Sequence, residues 1–212
     1  MIIVVDYGMG NLRNVRRALE ELGQEVLVTS SPADVVKGQK IILPGVGAFG
    51  EAVRRIDALG LRGPVLHAVG QGTPLLGICL GMQLLFNGSE ESPGVAGLGL
   101  IQGEVVKFNA GQKVPHIGWN DVVPTRRSQL FPDERQGVFY FVHSFYLADS
   151  VATLGRTSYG VEFTSVVGQG GVFGVQFHPE KSQADGMRLL GNFLMAPGGN
   201  REYGLGASKK EH

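Results

Sequence analysis

The segment Gly77-Ile78-Cys79-Leu80-Gly81 constrains the fold of this chain more than any other part of its sequence. The apolar run Pro74-Leu75-Leu76 before it indicates a buried strand, and Met82 to Phe86 after it indicates a helix. A turn this short strains the backbone of its central residue, and the flanking glycines allow neighbouring chain to approach closely. The pattern predicts that Cys79, the only cysteine, is a nucleophile at a helix start, where the helix dipole favours thiolate. The alternative, a small buried core thiol, does not explain the two glycines.

A histidine suited to act as a base follows a second strand-like run. Phe173 to Phe177 alternates apolar residues with small or polar ones, as a strand does, and leads into His178-Pro179-Glu180. Pro179 fixes the intervening φ, so the Glu180 side chain is able to fold back onto the imidazole. We therefore expect a triad of Cys79, His178 and Glu180. Its chain order differs from that of the hydrolases that share the nucleophile elbow, in which the acid precedes the histidine.

A glycine-rich turn supplies the third part of an acyl-transfer site. The short strand Ile41-Ile42-Leu43 is followed by Pro44-Gly45-Val46-Gly47. Backbone N–H groups in such a turn are able to point at developing negative charge. The predicted oxyanion donors are the N–H of Val46 or Gly47 and that of Leu80, the residue after the nucleophile.

No cofactor or metal is expected. The spacing of Gly45, Gly47 and Gly50 matches the dinucleotide-binding fingerprint, which also needs an acidic residue about 20 positions later. The region from Val65 to Gly72 contains no such residue, so dinucleotide binding is disfavoured. The histidines show no metal-ligand spacing; they are His67, His116, His143, His178 and His212.

The three catalytic stretches together resemble the class I, or triad, glutamine amidotransferases. The residues that carry this resemblance are Pro44-Gly45-Val46-Gly47, Gly77-Ile78-Cys79-Leu80-Gly81-Met82-Gln83 and Phe177-His178-Pro179-Glu180. The resemblance implies a flavodoxin-like fold and glutamine hydrolysis to glutamate and ammonia through a glutamyl thioester. It also implies that Gln83, His143 and Ser144 contact the substrate glutamine. A helix-surface amide and a histidine that only caps the sheet are the alternatives for the first two.

Further stretches resemble one branch of this family, the glutaminase subunits of imidazole glycerol phosphate synthase. They are Asp6-Tyr7-Gly8-Met9-Gly10-Asn11-Leu12, Lys113-Val114-Pro115-His116-Ile117-Gly118-Trp119-Asn120 and Tyr140-Phe141-Val142-His143-Ser144-Phe145. The branch often carries tyrosine where this chain has Phe145, so no hydroxyl role is assigned there. The resemblance implies a heterodimer with a cyclase subunit, which receives ammonia through a tunnel and makes imidazole glycerol phosphate and an aminoimidazole carboxamide ribotide. The expected docking face carries Asn11, Asn14, Trp119 and Lys181, with Trp119 on a surface loop.

Composition narrows the class of protein. The 212 residues include 19 Lys and Arg against 19 Asp and Glu, so no basic footprint for nucleic acid is present. A lone cysteine suits the reducing cytoplasm and argues against a disulfide framework. The apolar start, Met1 to Val5, ends at Asp6 and lacks a basic leader, so we expect a first strand rather than a signal peptide. No apolar run reaches the roughly 18 residues of a membrane span.

The order of short apolar strands and helices predicts an α/β fold with a doubly wound, mostly parallel sheet. Residues 2–5, 25–29 and 40–43 are predicted strands, and 11–22 and 184–194 are predicted helices. The second half adds an antiparallel β portion, with predicted strands at 105–108, 138–142, 151–153, 161–166 and 172–177. We expect one amidotransferase domain over residues 1–197 and a loose polar tail over 198–212.

Three other functions remain open at this point. The chain would serve a different synthase, such as the anthranilate or pyridoxal-phosphate type, if another partner stimulated it. A cysteine-based redox protein on a similar sheet would oxidise at Cys79 and leave glutamine untouched. A pure binding subunit would carry the triad as a vestige, although an intact Cys, His and Glu argues against that reading.

Overall fold

The structure is a computed structural model that describes residues 1–109 and 111–197. The predicted tail at 198–212 lies outside the described residues. The first half alternates strands and helices in this order: β1 Ile2–Val5, α1 Leu12–Glu21, β2 Val26–Thr29, α2 Pro32–Val35, β3 Lys40–Leu43, α3 Phe49–Ala58, α4 Arg62–Gly70, β4 Leu75–Ile78 and α5 Leu80–Gln83.

The second half is mostly strand, as predicted. It contains β5 Gly88–Ser89, β6 Glu104–Lys107, β7 His116–Pro124, β8 Gly137–His143, β9 Phe145–Leu147, β10 Thr153–Tyr159, β11 Val161–Gln169 and β12 Val172–Val175. A short 3₁₀ helix, Pro179–Lys181, and the helix α6, Gln183–Leu194, follow.

One mixed sheet joins the two halves in the order β2-β1-β3-β4-β12-β11-β10-β7-β8. The strands from β2 to β12 run parallel to one another, and those from β12 to β8 run antiparallel. The predicted α/β fold with an antiparallel portion in the second half is therefore confirmed.

Helices cover both faces of the parallel strands. Along β1, Ile2 and Val4 pack into one apolar cluster together with Val15 and Leu19 of α1, and α6 joins them there. Ile3 and Val5 pack into the other cluster, beneath α3 and α4. Side chains alternate between the faces of a strand, so fully apolar short strands such as β1 require cover on both sides. This is the doubly wound arrangement, and it leaves the loops at the carboxyl ends of the strands available for chemistry.

Three details of the sequence prediction are wrong. The helix expected at 82–86 is the short helix α5, Leu80–Gln83. The strand expected at 151–153 begins only at Thr153, and Val151 is exposed in the preceding turn. Trp119 lies within β7 rather than on a surface loop, although it is about half exposed. The outward face of β7 carries Ile117, Trp119 and Val123, while His116 faces inward. Apolar residues on the solvent side and a polar residue on the core side are the reverse of the usual strand pattern, so alternation does not identify this strand.

Candidate active site

Three neighbouring parallel strands bring the predicted motifs together. β3 pairs with β4 through Leu43 and Gly77, and β4 pairs with β12 through Ile78 and Val175. The glycine-rich turn follows β3, Cys79 follows β4, and the His178 segment follows β12. Since the carboxyl ends of parallel strands share one edge of a sheet, three stretches that are distant in sequence meet at one place.

Cys79 occupies a strained turn between β4 and α5. Its backbone has φ 55° and ψ −110°, a positive φ that is unusual for a residue with a side chain. Both flanking glycines are required by space. A Cβ on Gly77 would lie 2.5 Å from the carbonyl oxygen of Gly81, and one on Gly81 would overlap the carbonyl oxygen of Leu43. The sharp turn predicted from the sequence is therefore present, with Cys79 at its apex.

His178 and Glu180 form a buried pair beside the elbow. The Nδ1 atom of His178 lies 2.8 Å from Oε1 of Glu180, and both side chains are almost completely buried. His178 opens the 3₁₀ helix, whose first residue, Pro179, holds the chain so that the two side chains meet. Among the described residues, His178 Nε2 has no hydrogen-bond partner, which leaves it available for proton transfer.

The electrostatic environment of His178 favours its imidazolium form. Burial disfavours the charge, but the nearby sulfur of Cys79 and the carboxylate of Glu180 together outweigh it and raise the His178 pKa to about 10. A cationic imidazole beside a cysteine sulfur is the arrangement of charge found in cysteine-histidine hydrolases.

The glycine-rich turn packs directly on the elbow. A Cβ on Gly45 would lie 2.9 Å from Leu80 Cβ and 3.0 Å from the amide nitrogen of Gly81, so only glycine fits. The hydroxyl of Tyr7 donates to the Pro44 carbonyl at 2.7 Å and anchors the start of the turn. Gly47 has φ 98°, and Val46 is 40% exposed. The predicted donors Val46, Gly47 and Leu80 thus lie on two adjacent segments.

Two of the predicted substrate residues, Gln83 and His143, converge on the carbonyl oxygen of Phe145. Gln83 is buried within α5, and its Nε2 lies 3.1 Å from both the carbonyl oxygen of Phe145 and Oε1 of Gln176. It is therefore not a helix-surface amide. His143 ends β8, and its Nδ1 lies 2.8 Å from the same carbonyl. Ser144 follows, half-buried, between β8 and β9.

Three residues that contact Cys79 or its neighbours in the site were not singled out as site residues by the sequence. Gln176 is fully buried, with Nε2 3.9 Å from Cys79 Sγ. His116 lies in β7 with Nδ1 2.9 Å from Nε2 of His143. Burial raises the pKa of Tyr7, and the neighbouring Cys79 adds to that effect, so the phenol stays a neutral donor. The only sequence signal for Gln176 is its position two residues before His178.

The expected docking residues are partly connected. Trp119 and Tyr140 are cross-strand partners on β7 and β8, with ring centroids 6.0 Å apart, and Lys181 Nζ lies 5.5 Å from the Tyr140 ring centre. Lys181 and Asn14 line one groove of about 540 Å³ between α1, the 3₁₀ helix and α6. Asn11 is the residue before α1. Through Lys181, the groove and the aromatic pair share one edge of the molecule.

The described residues contain neither a helix suited to span a membrane nor a cluster suited to bind a metal ion. None of the helices in 1–109 and 111–197 has the length and apolar character needed to cross a membrane. Over the same ranges, no cluster of three or more His, Cys, Asp or Glu side chains is arranged to hold a metal ion.

Comparison with known proteins places the chain in a family. Residues 3–196 match the family described as glutamine amidotransferase class-I. The imidazole glycerol phosphate synthase subunit HisH of Thermococcus kodakarensis is 50% identical over 200 residues, which cover 91% of this chain and 98% of that protein. The subunit of the same name from Moorella thermoacetica is 48% identical over 195 residues, covering 91% and 93%.

Solved structures agree on the fold. A glutamine amidotransferase crystal structure superposes with a TM-score of 0.74 at 22% identity, covering 92% of this chain and 97% of that one. A glutamine amidotransferase from Thermotoga maritima gives a TM-score of 0.59 at 15% identity, covering 84% and 75%. With the family match spanning nearly all the described residues, the chain belongs to the class-I glutamine amidotransferases.

Proposed function

We propose that this chain is the glutaminase subunit of an imidazole glycerol phosphate synthase and acts in histidine biosynthesis. The observation that carries the chemistry is the strained Cys79 beside the buried His178–Glu180 pair. The branch is supported by the HisH relatives, which are about half identical over almost the whole chain. We further propose that residues 1–197 act as one amidotransferase domain.

The proposed reaction begins with attack of the Cys79 thiolate on the side-chain amide carbon of glutamine. The tetrahedral oxyanion receives hydrogen bonds from the N–H groups of Leu80 and of Val46 or Gly47. His178, held by Glu180, donates its proton to the leaving ammonia. The same imidazole then activates water, which hydrolyses the glutamyl thioester and releases glutamate.

The substrate pocket is proposed to lie between α5 and the end of β8. Both N–H groups of Gln83 Nε2 donate hydrogen bonds within the protein, so Oε1 is the atom left to accept a hydrogen bond from glutamine. His143 serves the pocket through the Phe145 carbonyl, and Ser144 offers a hydroxyl. A substrate seated here would place its side-chain amide at Cys79, because the carbonyl oxygen of Val142, just before His143, lies 3.8 Å from Sγ.

The proposed partner is the cyclase subunit, which would form a heterodimer with this chain and receive the ammonia. The name of the relatives describes them as subunits of a synthase. The Trp119–Tyr140–Lys181 array, in which Trp119 is exposed and the other two are half-buried, is the proposed docking face together with Asn11 and Asn14. The backbone carbonyl oxygen of Tyr140 accepts a hydrogen bond from the backbone N–H of His178 at 2.9 Å, so this face is directly linked to the proposed catalytic base.

The decisive experiment compares wild type with Cys79→Ala for glutamate release, with and without the cyclase subunit and its nucleotide substrate. We expect the variant to lose glutaminase activity, to bind the partner normally, and to support product formation when ammonium salts replace glutamine. Wild-type glutamate release by Cys79→Ala would refute the covalent mechanism.

Two further outcomes distinguish the rival functions. Stimulation by an anthranilate or pyridoxal-phosphate synthase partner, but not by the cyclase, would move the chain to another branch. Peroxide-dependent oxidation of Cys79 without any glutamine turnover would favour a redox role.

A further inference from the structure

A buried network of side-chain hydrogen bonds ends at the sulfur of Cys79. Gln176 follows β12, and its side chain is inaccessible to solvent. Its Oε1 lies 3.1 Å from Gln83 Nε2, and its Nε2 lies 3.9 Å from Cys79 Sγ. The second contact is long, as befits sulfur, which is a larger and weaker acceptor than oxygen.

A backbone carbonyl fixes which atoms of this hydrogen-bond network donate and which accept. The oxygen of Phe145 only accepts hydrogen bonds, so the Gln83 atom 3.1 Å away is its amide nitrogen. The other proton of that nitrogen then points to Gln176, which presents its oxygen. The Gln176 group that faces Cys79 is therefore an N–H donor. The orientation of both amides follows from this network of donors and acceptors.

A second arm reaches the same carbonyl from β7. His143 Nδ1, 2.8 Å from the Phe145 oxygen, must carry a proton, so its Nε2 accepts from His116 Nδ1 at 2.9 Å. Asn120 Nδ2 lies 3.2 Å from His116 Nε2 and completes the series. Burial holds both imidazoles in the neutral form that this pattern requires, since it lowers the pKa of His116 to about 4 and is the main cause that lowers that of His143 to about 3.

The other contact of the Cys79 sulfur indicates what the Gln176 donor contributes. The carbonyl oxygen of Val142 lies 3.8 Å from Cys79 Sγ and suits a thiol, which donates, better than a thiolate. A neutral N–H on another side of the sulfur opposes that effect without competing for the His178 proton. Hydrogen bonds to a charged acceptor are the stronger kind.

We propose that Gln176 is a further catalytic residue, whose amide N–H donates to the Cys79 sulfur and stabilises the thiolate before attack. Gln83 and His143 act as positioning residues that keep the nitrogen of Gln176, and not its oxygen, toward the sulfur. This inference rests on the proposed glutaminase function and extends it. No signal in the three catalytic motifs requires Gln176 to touch Cys79.

The test uses the full chain and the fact that Cys79 is its only cysteine, so that alkylation by iodoacetamide reports on this sulfur alone. Gln176→Leu keeps a similar volume and removes the donor. We expect alkylation at neutral pH to slow about 10-fold to 100-fold and kcat/KM for glutamine to fall by a similar factor, with KM nearly unchanged. If Gln176→Leu does not fold, Gln176→Met, which keeps the length of the side chain, serves as the test variant.

Matched variants separate chemistry from stability. Thr153→Val removes another buried side-chain hydrogen bond, to Thr164 at 2.9 Å, and is expected to cost stability while leaving alkylation unchanged. His143→Leu removes the proton donor at the Phe145 carbonyl and should slow alkylation. His143→Asn, whose amide nitrogen takes the place of Nδ1, should restore much of the rate.

The outcomes discriminate between the two proposals. A folded Gln176→Leu or Gln176→Met variant with wild-type alkylation and kcat/KM overturns the role of Gln176. If Cys79→Ala is inactive in the same assay, the proposed function survives that result. If Cys79→Ala retains glutamate release, the proposed function itself fails. Equal slowing in Thr153→Val would assign the effect to general loosening and would also overturn the role of Gln176.

Discussion

The proposed triad residues differ in how directly each takes part in proton transfer. His178 exchanges the proton, whereas Glu180 acts through the position and charge of the imidazole. We predict that His178→Ala lowers kcat by about 10²-fold to 10⁴-fold and that Glu180→Gln lowers it less. Because Glu180 helps to raise the His178 pKa, Glu180→Gln should also shift the alkaline limb of the pH–rate profile to lower pH.

Steady-state glutamate release over a range of pH checks this prediction. Glu162→Gln, which removes a carboxylate from an exposed ion pair with Arg156, is the matched control and should leave the profile in place. A larger loss in Glu180→Gln than in His178→Ala would reverse the assigned roles.

The proposed catalytic residues can be picked out from the sequence because each lies in a short, self-contained motif. Cys79 is flanked by its glycines, and Glu180 follows His178 by two positions. The contacts that surround them join residues far apart in sequence: Gln176 and Cys79 are separated by 97 positions, Tyr7 and Pro44 by 37, and His116 and His143 by 27. Local pattern carries no information on such pairs, so they emerge only once the sheet order is known.

At the scale of secondary-structure elements, the active site depends on how closely α5 approaches β3. Gly81 stands where the elbow meets the Leu43 carbonyl, and a Cβ there would overlap that oxygen. We predict that Gly81→Ala pushes the two segments apart, destabilises the protein by about 1–3 kcal/mol and abolishes glutamine turnover, because the Leu80 N–H moves with the turn.

Gly191 provides the control for this substitution. It lies inside α6, and a Cβ at this position would meet nothing within 4 Å. Gly191→Ala should therefore stabilise the helix by roughly 0.5–1 kcal/mol and preserve activity. Urea unfolding and glutamate release measure both variants, and an active, stable Gly81→Ala protein would show that the close approach is dispensable.

Elements of the second half show where alternation fails as a guide. The strand predicted at 138–142 corresponds to β8, in which the alternating Phe139 and Phe141 are both buried. β7 was missed because its inward positions include His116 and Asn120, while Ile117 and Trp119 face outward. A strand that buries a hydrogen-bonded polar series and exposes an apolar face has the inverse of the usual pattern.

At the scale of the whole molecule, the buried histidines make stability depend on pH. The folded-state pKa values of His143 and His116, about 3 and 4, lie below the ordinary value of 6.5. Below pH 6.5 the unfolded chain therefore binds more protons than the folded one. The free energy of unfolding then decreases as the pH is lowered. The contribution of these two histidines is fully present above pH 6.5, and we expect a loss on the order of 1 kcal/mol or more by about pH 5, before most carboxylates protonate. His178, whose pKa is raised, is protonated in both states in this range and does not add to the slope.

Urea unfolding at a series of pH values tests this expectation. The double variant His116→Asn, His143→Asn should have a flatter dependence between pH 6.5 and about 5 than wild type, even if it is less stable throughout. His67→Asn removes an exposed histidine of α4 and should leave the slope unchanged. An identical slope in the double variant would show that these imidazoles do not govern the acid limb.

Partner docking is expected to control the rate of glutamine hydrolysis across the whole assembly. The peptide between Val46 and Gly47 lies in an exposed turn flanked by glycines, where reorientation costs little. A free subunit with that N–H turned away lacks one oxyanion donor, a loss of about 10²-fold to 10³-fold in rate. We therefore predict a slow isolated subunit and a complex, with the cyclase and its nucleotide bound, that is faster by a similar factor.

The docking face offers the variants that test this coupling. Trp119→Ala and Lys181→Glu should reduce the stimulation by the partner more than they reduce basal glutamate release, since Trp119 and Lys181 both contact Tyr140, whose carbonyl holds the His178 segment. Lys37→Glu reverses a charge at an exposed position after α2 and should leave stimulation intact. Equal rates for the isolated subunit and the nucleotide-loaded complex would refute the coupling and leave the triad chemistry untouched, because Cys79, His178 and Glu180 all belong to this chain.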